Sequence, residues 1–412
     1  MAFIINIMKK LFSYIIFPVF IASCSGGNGN NSDFIPAQPS VVPEKTDSIE
    51  TWKADDSVSA KDFIDEQTDE CKYVFLQADK ANSMIGCINQ IFVDDSTFTI
   101  IDNSITERIF RFDRNGKYIG AIGSKGKARG EYIGLGCASK TDNGNLAITD
   151  RLSKKLIIYS TDGNVVEEYT MNKAMPLSMV MTDSIVLGSF PGYHKSLKYR
   201  LKWFDLKGKD IHTAFPFTST RRYVAGKLLK DKDRNIYYNY DLNDTIFRIE
   251  NYRITPEIVM NIHDSKLTNE FIKETESLDK KDYNKKLYTN EDIVNQVDLI
   301  KCDDKWVVYY QKGTNAYNSF ISENGMSRVN YRRAKVSHTT RDAELVIPEK
   351  FVDYADGYLI GYIDPEAFAY LDDSRKSKYL NRIRQNSVNA PDNDEDIESY
   401  GNPILCLYKL MP

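Results

Sequence analysis

The sequence predicts an all-β protein, a six-bladed β-propeller with two helical insertions and an N-terminal strand that closes the last blade. Three observations lead to this prediction: a repeated unit of short strands, hairpin turns at matching places in the units, and a strand near the start without a unit of its own. The aromatic content of 12% agrees with it, because aromatic side chains suit half-buried sheet surfaces. A pair of β-sandwiches is the alternative, but it gives no reason for six similar units.

The repeated unit is a turn rich in Asp, Asn or Gly, then a short apolar strand, an amphipathic strand, a tight turn and a third strand. Clear copies begin at Val93, Thr141, Met181 and Asp231, and two weaker copies begin at Cys302 and Tyr354. Such units recur at roughly 40–50 residues, which is the spacing of propeller blades. Turns such as the Asp-Arg-Asn-Gly of residues 113–116 are hairpin signals between alternating strands.

Two segments depart from this pattern and predict helical insertions, at about residues 264–293 and 365–398. Both are charged, with apolar residues at helical spacing, and we expect both to stand on one face of the disc as partial lids. The strand at Lys72–Gln77 has no unit of its own, so we expect it to complete the final unit. Closing the ring in this way removes exposed strand edges. We therefore assign residues 71–412 to the propeller.

The N-terminus predicts export and a lipid anchor. Lys9 and Lys10 precede an apolar run to Ile21 that is too short to span a bilayer, which is typical of a secretory signal peptide. We predict a signal at residues 1–23 and a flexible tether at 24–70 that begins with the lipidated Cys24. An ordinary signal peptide cut elsewhere is the alternative.

The last residues of this signal resemble the lipobox of bacterial lipoproteins, with Ile21 where a Leu is usual. The resemblance implies a diacylglycerol on the thiol of Cys24 and a further acyl chain, palmitate, on the new N-terminus. Several chains are needed because a single acyl chain binds a membrane only reversibly. We expect an outer-membrane lipoprotein. The residues after Cys24 lack acids until Asp33, so both the periplasmic and the surface face remain open.

A longer resemblance covers the chain from about Tyr73 to the end. The stretch IFRFDRNGKYIGAIG, the loop from Gly123 to Tyr132 and the terminal NPILCLYKL resemble six-bladed β-propeller lipoproteins of Bacteroidetes, relatives of the NHL-type propellers. The loop departs from the family pattern at Ala128 and Arg129, where Gly and Pro are usual. The resemblance implies the fold and no particular activity, because fold alone does not determine function.

Composition argues against several kinds of site. The net charge of −4 is not typical of a nucleic-acid-binding protein. Four histidines stand at no metal or triad spacing, and no nucleotide-binding motif occurs, so we expect no metal, no cofactor and no identifiable catalytic residue. Paired aspartates such as Asp94 and Asp95 suit either a Ca²⁺ site or turns, and we favour turns.

The loop between the first two units is the best candidate for ligand contact. Its glycines let backbone N–H groups converge, and Lys125, Lys127 and Arg129 add positive charge, which suits an anionic group. A purely structural role, in which the glycines allow a tight crossing, is the stronger alternative. Arg221 and Arg222 precede the fourth unit and are predicted to supply a second cationic contact across the channel.

Two functions fit these residues. In the first, the propeller is a non-catalytic module that binds a ligand, a glycan or a partner protein. In the second, it is a carbohydrate-active lyase or hydrolase with a site at the channel mouth, which would require an acid/base pair directed at one bond. We favour binding, and we expect a monomer with no nucleic-acid partner and the membrane as a partner through its lipid anchor.

Overall fold

The computed structural model describes most of the chain from residue 68 onward and four short pieces before it. The described residues are 40–41, 43, 50–51, 57–58, 68–78, 82–171, 173–182, 184–191, 197–217, 226–240, 242–260, 262, 265–313, 315–322, 330–333, 348 and 350–411. The predicted signal peptide and Cys24 lie outside these residues.

Six antiparallel sheets surround a central channel, and each blade has its first strand innermost. From the channel outward, the strands are Gln90–Val93, Thr97–Asp102, Arg108–Asp113 and Tyr118–Ala121 in blade 1; Leu135–Lys140, Leu146–Asp150, Lys155–Tyr159 and Val165–Thr170 in blade 2; and Ser178–Met181, Ile185–Ser189, Tyr199–Asp205 and Asp210–Pro216 in blade 3. The six-bladed propeller predicted from the repeats is thus confirmed.

The second half of the disc follows the same order. The strands are Lys227–Lys230, Ile236–Asn239, Thr245–Glu250 and Arg253–Val259 in blade 4; Val294–Cys302, Lys305–Lys312, Asn315–Ser322 and Asn330–Arg333 in blade 5; and Phe351–Ala355, Tyr358–Ile363, Ile404–Leu410 and Thr68–Phe75 in blade 6. The last of these comes from the N-terminal side of the chain and pairs antiparallel with Ile404–Leu410. The predicted closing strand is confirmed, and it begins slightly earlier than expected.

Buried apolar side chains fill the spaces between neighbouring blades. Where the ring closes, Ile100 and Phe110 of blade 1 pack in one cluster with Val74 and Leu405 of blade 6. Asn402 reinforces this junction: its side chain accepts from the N–H of Ile85 at 2.8 Å and donates to three backbone carbonyls of residues 76–83. Burial of this interface stabilises the closed ring far more than local strand propensity does.

The segment predicted to be a flexible tether contributes three further strands. Ser40–Val41, Glu50–Thr51 and Ser57–Val58 pair in parallel with the outer strands of blades 3, 4 and 5. At these positions the prediction of a free tether is wrong. The physical reason is that an exposed strand edge offers main-chain donors and acceptors to any extended segment, whatever its side chains, so a polar composition does not reveal the pairing.

Both predicted insertions are helical. The first contains α1 (Ser265–Thr275) and α2 (Lys280–Thr289), between blades 4 and 5. The second lies within blade 6 and contains the 3₁₀ helix Pro365–Tyr370 and the helices α3 (Asp373–Gln385) and α4 (Asp394–Glu398). In the described residues, no helix is both long and apolar enough to cross a membrane.

The two insertions emerge from the same face of the disc. Strands alternate in direction within each blade, so the connections between blades and those between second and third strands share one face. We call this the crossover face, and it carries residues 122–134, 265–293 and 364–403. The second insertion also packs against the rim, since Tyr73 of the outer strand forms a bridge with Ser387.

Candidate functional site

The glycine-rich loop predicted to bind an anion lies on the crossover face between blades 1 and 2. Ser124–Lys125 and Glu131–Tyr132 form a small parallel pair that holds the loop closed. The chain's own carboxylates occupy two of its backbone donors. The N–H of Ala128 donates to Glu131 at 2.9 Å, and the N–H of Gly130 donates to Glu168 at 2.7 Å. These contacts favour the structural role of the loop.

The three cationic side chains of this loop do not converge. Lys125 forms an ion pair with Glu107 at 2.7 Å, Arg129 donates to the carbonyl of Val166 at 3.3 Å, and Lys127 is exposed. The acceptor of Arg129, the carbonyl of Val166, lies in the outer strand of blade 2. The other two predicted contacts, Arg221 and Arg222, lie outside the described residues.

The loop glycines are required by packing and backbone conformation. A Cβ on Gly126 would stand 1.9 Å from a carboxylate oxygen of Glu131, and one on Gly130 would stand 2.0 Å from Val165. Gly130 also has a φ of +77°, which disfavours other residues. The tight crossing between blades thus explains why Gly is needed at these positions.

Several turn aspartates bind the backbone of their own turn, whereas Asp94 and Asp303 form ion pairs with Lys140 and Lys232 instead. Asp231 accepts from the N–H groups of Asp233 and Asn235 at 2.9 and 2.8 Å. Among the described residues, no group of three His, Cys, Asp or Glu side chains is placed to hold a metal ion. The turn interpretation of the aspartates agrees with these contacts.

The buried thiols are poor nucleophiles. Burial raises the pKa of Cys137 to about 11, and hydrogen bonding by Thr149 only partly opposes this effect. At neutral pH the group is a thiol and not the reactive thiolate. Cys71 shows the same effect, since burial raises its pKa to about 11.

The inner strands of blades 4 and 5 and the start of blade 6 bring together a charged cluster that the sequence did not predict. Asp298, in the first strand of blade 5, forms ion pairs with Lys227 of blade 4 at 3.1 Å and with Lys350, which immediately precedes blade 6. We call these three residues the channel triad. Burial by itself would raise the pKa of Asp298, but the two ammonium groups outweigh it and hold that pKa well below its usual range.

A second carboxyl group lies close to the triad. Asp353, in the first strand of blade 6, is half-buried in the channel, and its side chain accepts from the N–H of Tyr354 at 2.9 Å. Burial raises the pKa of Asp353 to about 7. The Tyr354 hydrogen bond and the charge of Lys227 oppose this shift, and the charge of Asp94 adds to it.

A third lysine of the channel shows what a purely structural arrangement looks like. The ammonium group of Lys230 donates to the carbonyls of Lys140 and Met181 at 2.7 and 2.9 Å and to Asp142 at 3.0 Å. All three of its N–H donors are therefore in use, holding the ends of the inner strands together. Among the described residues, Lys227 and Lys350 share the carboxylate of Asp298 as their ion-pair partner, which leaves each ammonium group with N–H donors outside this pair.

Irregularities in the inner strands help to place these side chains. The pairing of the first two strands shifts register between Val294 and Gln296 in blade 5, and between Phe351 and Asp353 in blade 6. Such bulges redirect side chains and are common beside functional sites. The sequence signal was weak: a charged residue between two apolar residues of a strand, as at Asp298 between Val297 and Leu299.

Comparisons with known proteins agree on the fold. The chain resembles the crystal structure of a Bacteroides fragilis NCTC 9343 protein predicted to be exported, at 18% identity and a TM-score of 0.66, over 89% of this chain and 100% of that one. It also resembles a DUF4221 family member from Bacteroides vulgatus ATCC 8482, at 10% identity and a TM-score of 0.47, over 83% and 96% of the two chains. No curated protein matches the chain.

A third similar structure is a protein of unknown function from Bacteroides thetaiotaomicron VPI-5482, at 8% identity and a TM-score of 0.43, covering 82% of this chain and 76% of that one. The expected resemblance to propeller proteins of Bacteroidetes is confirmed. Residues 50–409 match the family described as a domain of unknown function, DUF4934. The chain therefore belongs to the DUF4934 family, whose domain here is a six-bladed β-propeller.

Proposed function

We propose that the chain is an outer-membrane lipoprotein, acylated on Cys24, whose propeller is a non-catalytic binding module. Its ligand, a glycan or a segment of a partner protein, would enter the channel from the crossover face. The protein would act as a monomer that contacts the membrane through its acyl chains only.

One observation carries the binding proposal: charged side chains from three different blades meet in the channel at the triad and Asp353. Lys227 and Lys350 begin or precede inner strands, so they stand toward the crossover face. The insertions that contain α1, α2 and α3 flank the same blades. Small-molecule sites are usually concave and carry a few convergent polar groups of this kind.

The anchor is supported by the sequence around Cys24 and by the similar Bacteroides fragilis protein, which is itself predicted to be exported. Replacing Cys24 by Ser should move the protein from the membrane fraction to the soluble envelope fraction and abolish incorporation of labelled palmitate. Cys87→Ser is the matched control, because Cys87 lies within the propeller and should not affect fractionation. Membrane retention of the Cys24→Ser variant would contradict the anchor.

Binding is tested with the full chain purified in detergent. Envelope oligosaccharides and short peptides are screened by the shift in thermal unfolding temperature, and hits are repeated with Lys227→Met. A genuine channel ligand should stabilise the natural protein, lose that effect in the variant and be recovered chemically unchanged. A ligand that binds both proteins equally would place the site elsewhere.

A second candidate, a carbohydrate-active enzyme, is favoured by one observation. Asp298 and Asp353 have pKa values displaced in opposite directions, which is the pattern of an acid paired with an ionised carboxylate. Against it, Asp298 is already held by two ammonium groups and is a weak base. Incubation with a panel of polysaccharides decides the matter: cleavage that disappears in Asp353→Asn would establish the enzyme and refute the non-catalytic proposal.

A further inference from the structure

The charge and the unused donors of the channel triad indicate which class of ligand suits it. We propose that the site binds its ligand through a single carboxylate group, received by the ammonium groups of Lys227 and Lys350. This rests on the binding function proposed above and adds the chemistry of the group that is recognised.

Counted over the described residues, the ion pairs of the channel triad leave one positive charge uncompensated. Two ammonium groups face one ionised carboxylate, that of Asp298. Asp94 is paired with Lys140 at 3.0 Å, so that pair adds no net charge. Asp353 cancels the surplus only in part, since burial raises the pKa of its carboxyl group to about 7 and about half of it is protonated at neutral pH.

This surplus favours a ligand with one negative charge. A carboxylate compensates this charge, and Asp353 can then stay protonated as its hydrogen-bond donor. A phosphate dianion would leave a net negative charge beside Asp298, whose side chain is only 14% exposed. A neutral ligand would leave the surplus positive charge as it is.

The geometry supplies donors as well as charge. The side chains of Lys227 and Lys350 are 33% and 31% exposed, so their ammonium groups reach the channel while they contact Asp298. One oxygen of Asp353 accepts a hydrogen bond from the N–H of Tyr354, and the other has no hydrogen-bond partner within the described part of the chain. In its protonated form Asp353 is a further hydrogen-bond donor to an incoming carboxylate.

The lysine side chains are also ordered before a ligand arrives. Lys350 stands over the ring of Tyr309, 5.5 Å from its centroid, in addition to its ion pair with Asp298. Lys227 is held by the other oxygen of the same carboxylate. Binding therefore costs less side-chain entropy than it would for two free lysines.

The test uses the full chain in detergent and two matched pairs of probes, glucuronate with glucose and acetate with inorganic phosphate, measured by ligand-detected NMR titration. We expect glucuronate and acetate to bind, and glucose and phosphate to bind weakly or not at all. Lys227→Met and Lys350→Met should each weaken carboxylate binding by about tenfold, through loss of one close charge. Lys376→Met is the control, because Lys376 forms a comparable ion pair with Glu398 at 3.0 Å in the second insertion.

Asp298→Asn gives a result of opposite sign that a merely unfolded variant cannot imitate. Removing the internal competitor frees both ammonium groups, so carboxylate binding should tighten. Equal binding of glucose and glucuronate, or preference for phosphate, would overturn the carboxylate proposal while leaving a binding function intact. Absence of binding by every probe and by the wider ligand screen would instead refute the binding function itself.

Discussion

Replacing Asp353 by Asn should change how the stability of the protein depends on pH. The folded pKa of Asp353, about 7, lies above the ordinary value of 3.8. The folded state therefore holds this proton more tightly than the unfolded chain does. The contribution of protonated Asp353 to the free energy of unfolding is therefore complete below a pH of about 4, and it is lost as the pH rises towards about 7.

The size of the effect follows from that difference. Ionisation of Asp353 lowers the free energy of unfolding by about 4 kcal/mol at most, because its pKa rises from 3.8 to about 7 on folding and one pKa unit is about 1.4 kcal/mol. Asn resembles the neutral carboxyl group in shape and never ionises. The variant should thus match the natural protein at acid pH and exceed its stability by a few kcal/mol at mildly alkaline pH.

The assay is urea unfolding of both proteins across this pH range, followed by tryptophan fluorescence. Taking the difference between the two proteins removes the contribution of every other titrating group. Asp162→Asn is the matched control, because Asp162 is exposed in a hairpin turn and undergoes the same chemical change. A difference between Asp353→Asn and the natural protein that does not vary with pH would refute the reasoning.

Asn402→Ala should cost about 3 kcal/mol of unfolding free energy. The buried side chain accepts from one N–H, and its two amide hydrogens are shared among three carbonyl oxygens. The exposed Asn115→Ala is the control. Gly130→Ala should lower the free energy of unfolding by about 2 kcal/mol more than Gly144→Ala does. Both glycines have a similar positive φ, +77° and +79°, but a Cβ on Gly130 would collide with Val165, whereas one on Gly144 would meet nothing. Equal losses within either pair, measured by urea unfolding, would contradict these accounts.

The blades could be predicted because their signals are local. The strand Thr97–Asp102 and its hairpin to Arg108–Asp113 are encoded by alternating apolar residues and turn chemistry within a few positions. The closing strand was predictable for a related reason, since an apolar strand without a unit must pair with the remaining edge. The sequence did not predict the three short strands that pair with the outer edges of blades 3, 4 and 5, because main-chain pairing does not depend on side-chain composition.

The channel cluster was not predictable in the same way. Lys227, Asp298 and Lys350 are far apart in the sequence and meet only because blades 4, 5 and 6 are neighbours in the ring. The sequence indicated the glycine-rich loop instead, because the spacing of its glycines and cationic residues is local. Two of its backbone donors are occupied by Glu131 and Glu168.

The sequence by itself determined the number of blades, the two helical insertions and the way the ring closes, because period-two alternation and turn residues act over short distances. Only the tertiary structure decided which charged side chains share the channel and which are consumed in structural contacts. That outcome depends on strand register, on bulges such as the one before Asp353, and on the burial that displaces the pKa of its carboxyl group. These are properties of the closed ring and of no single segment.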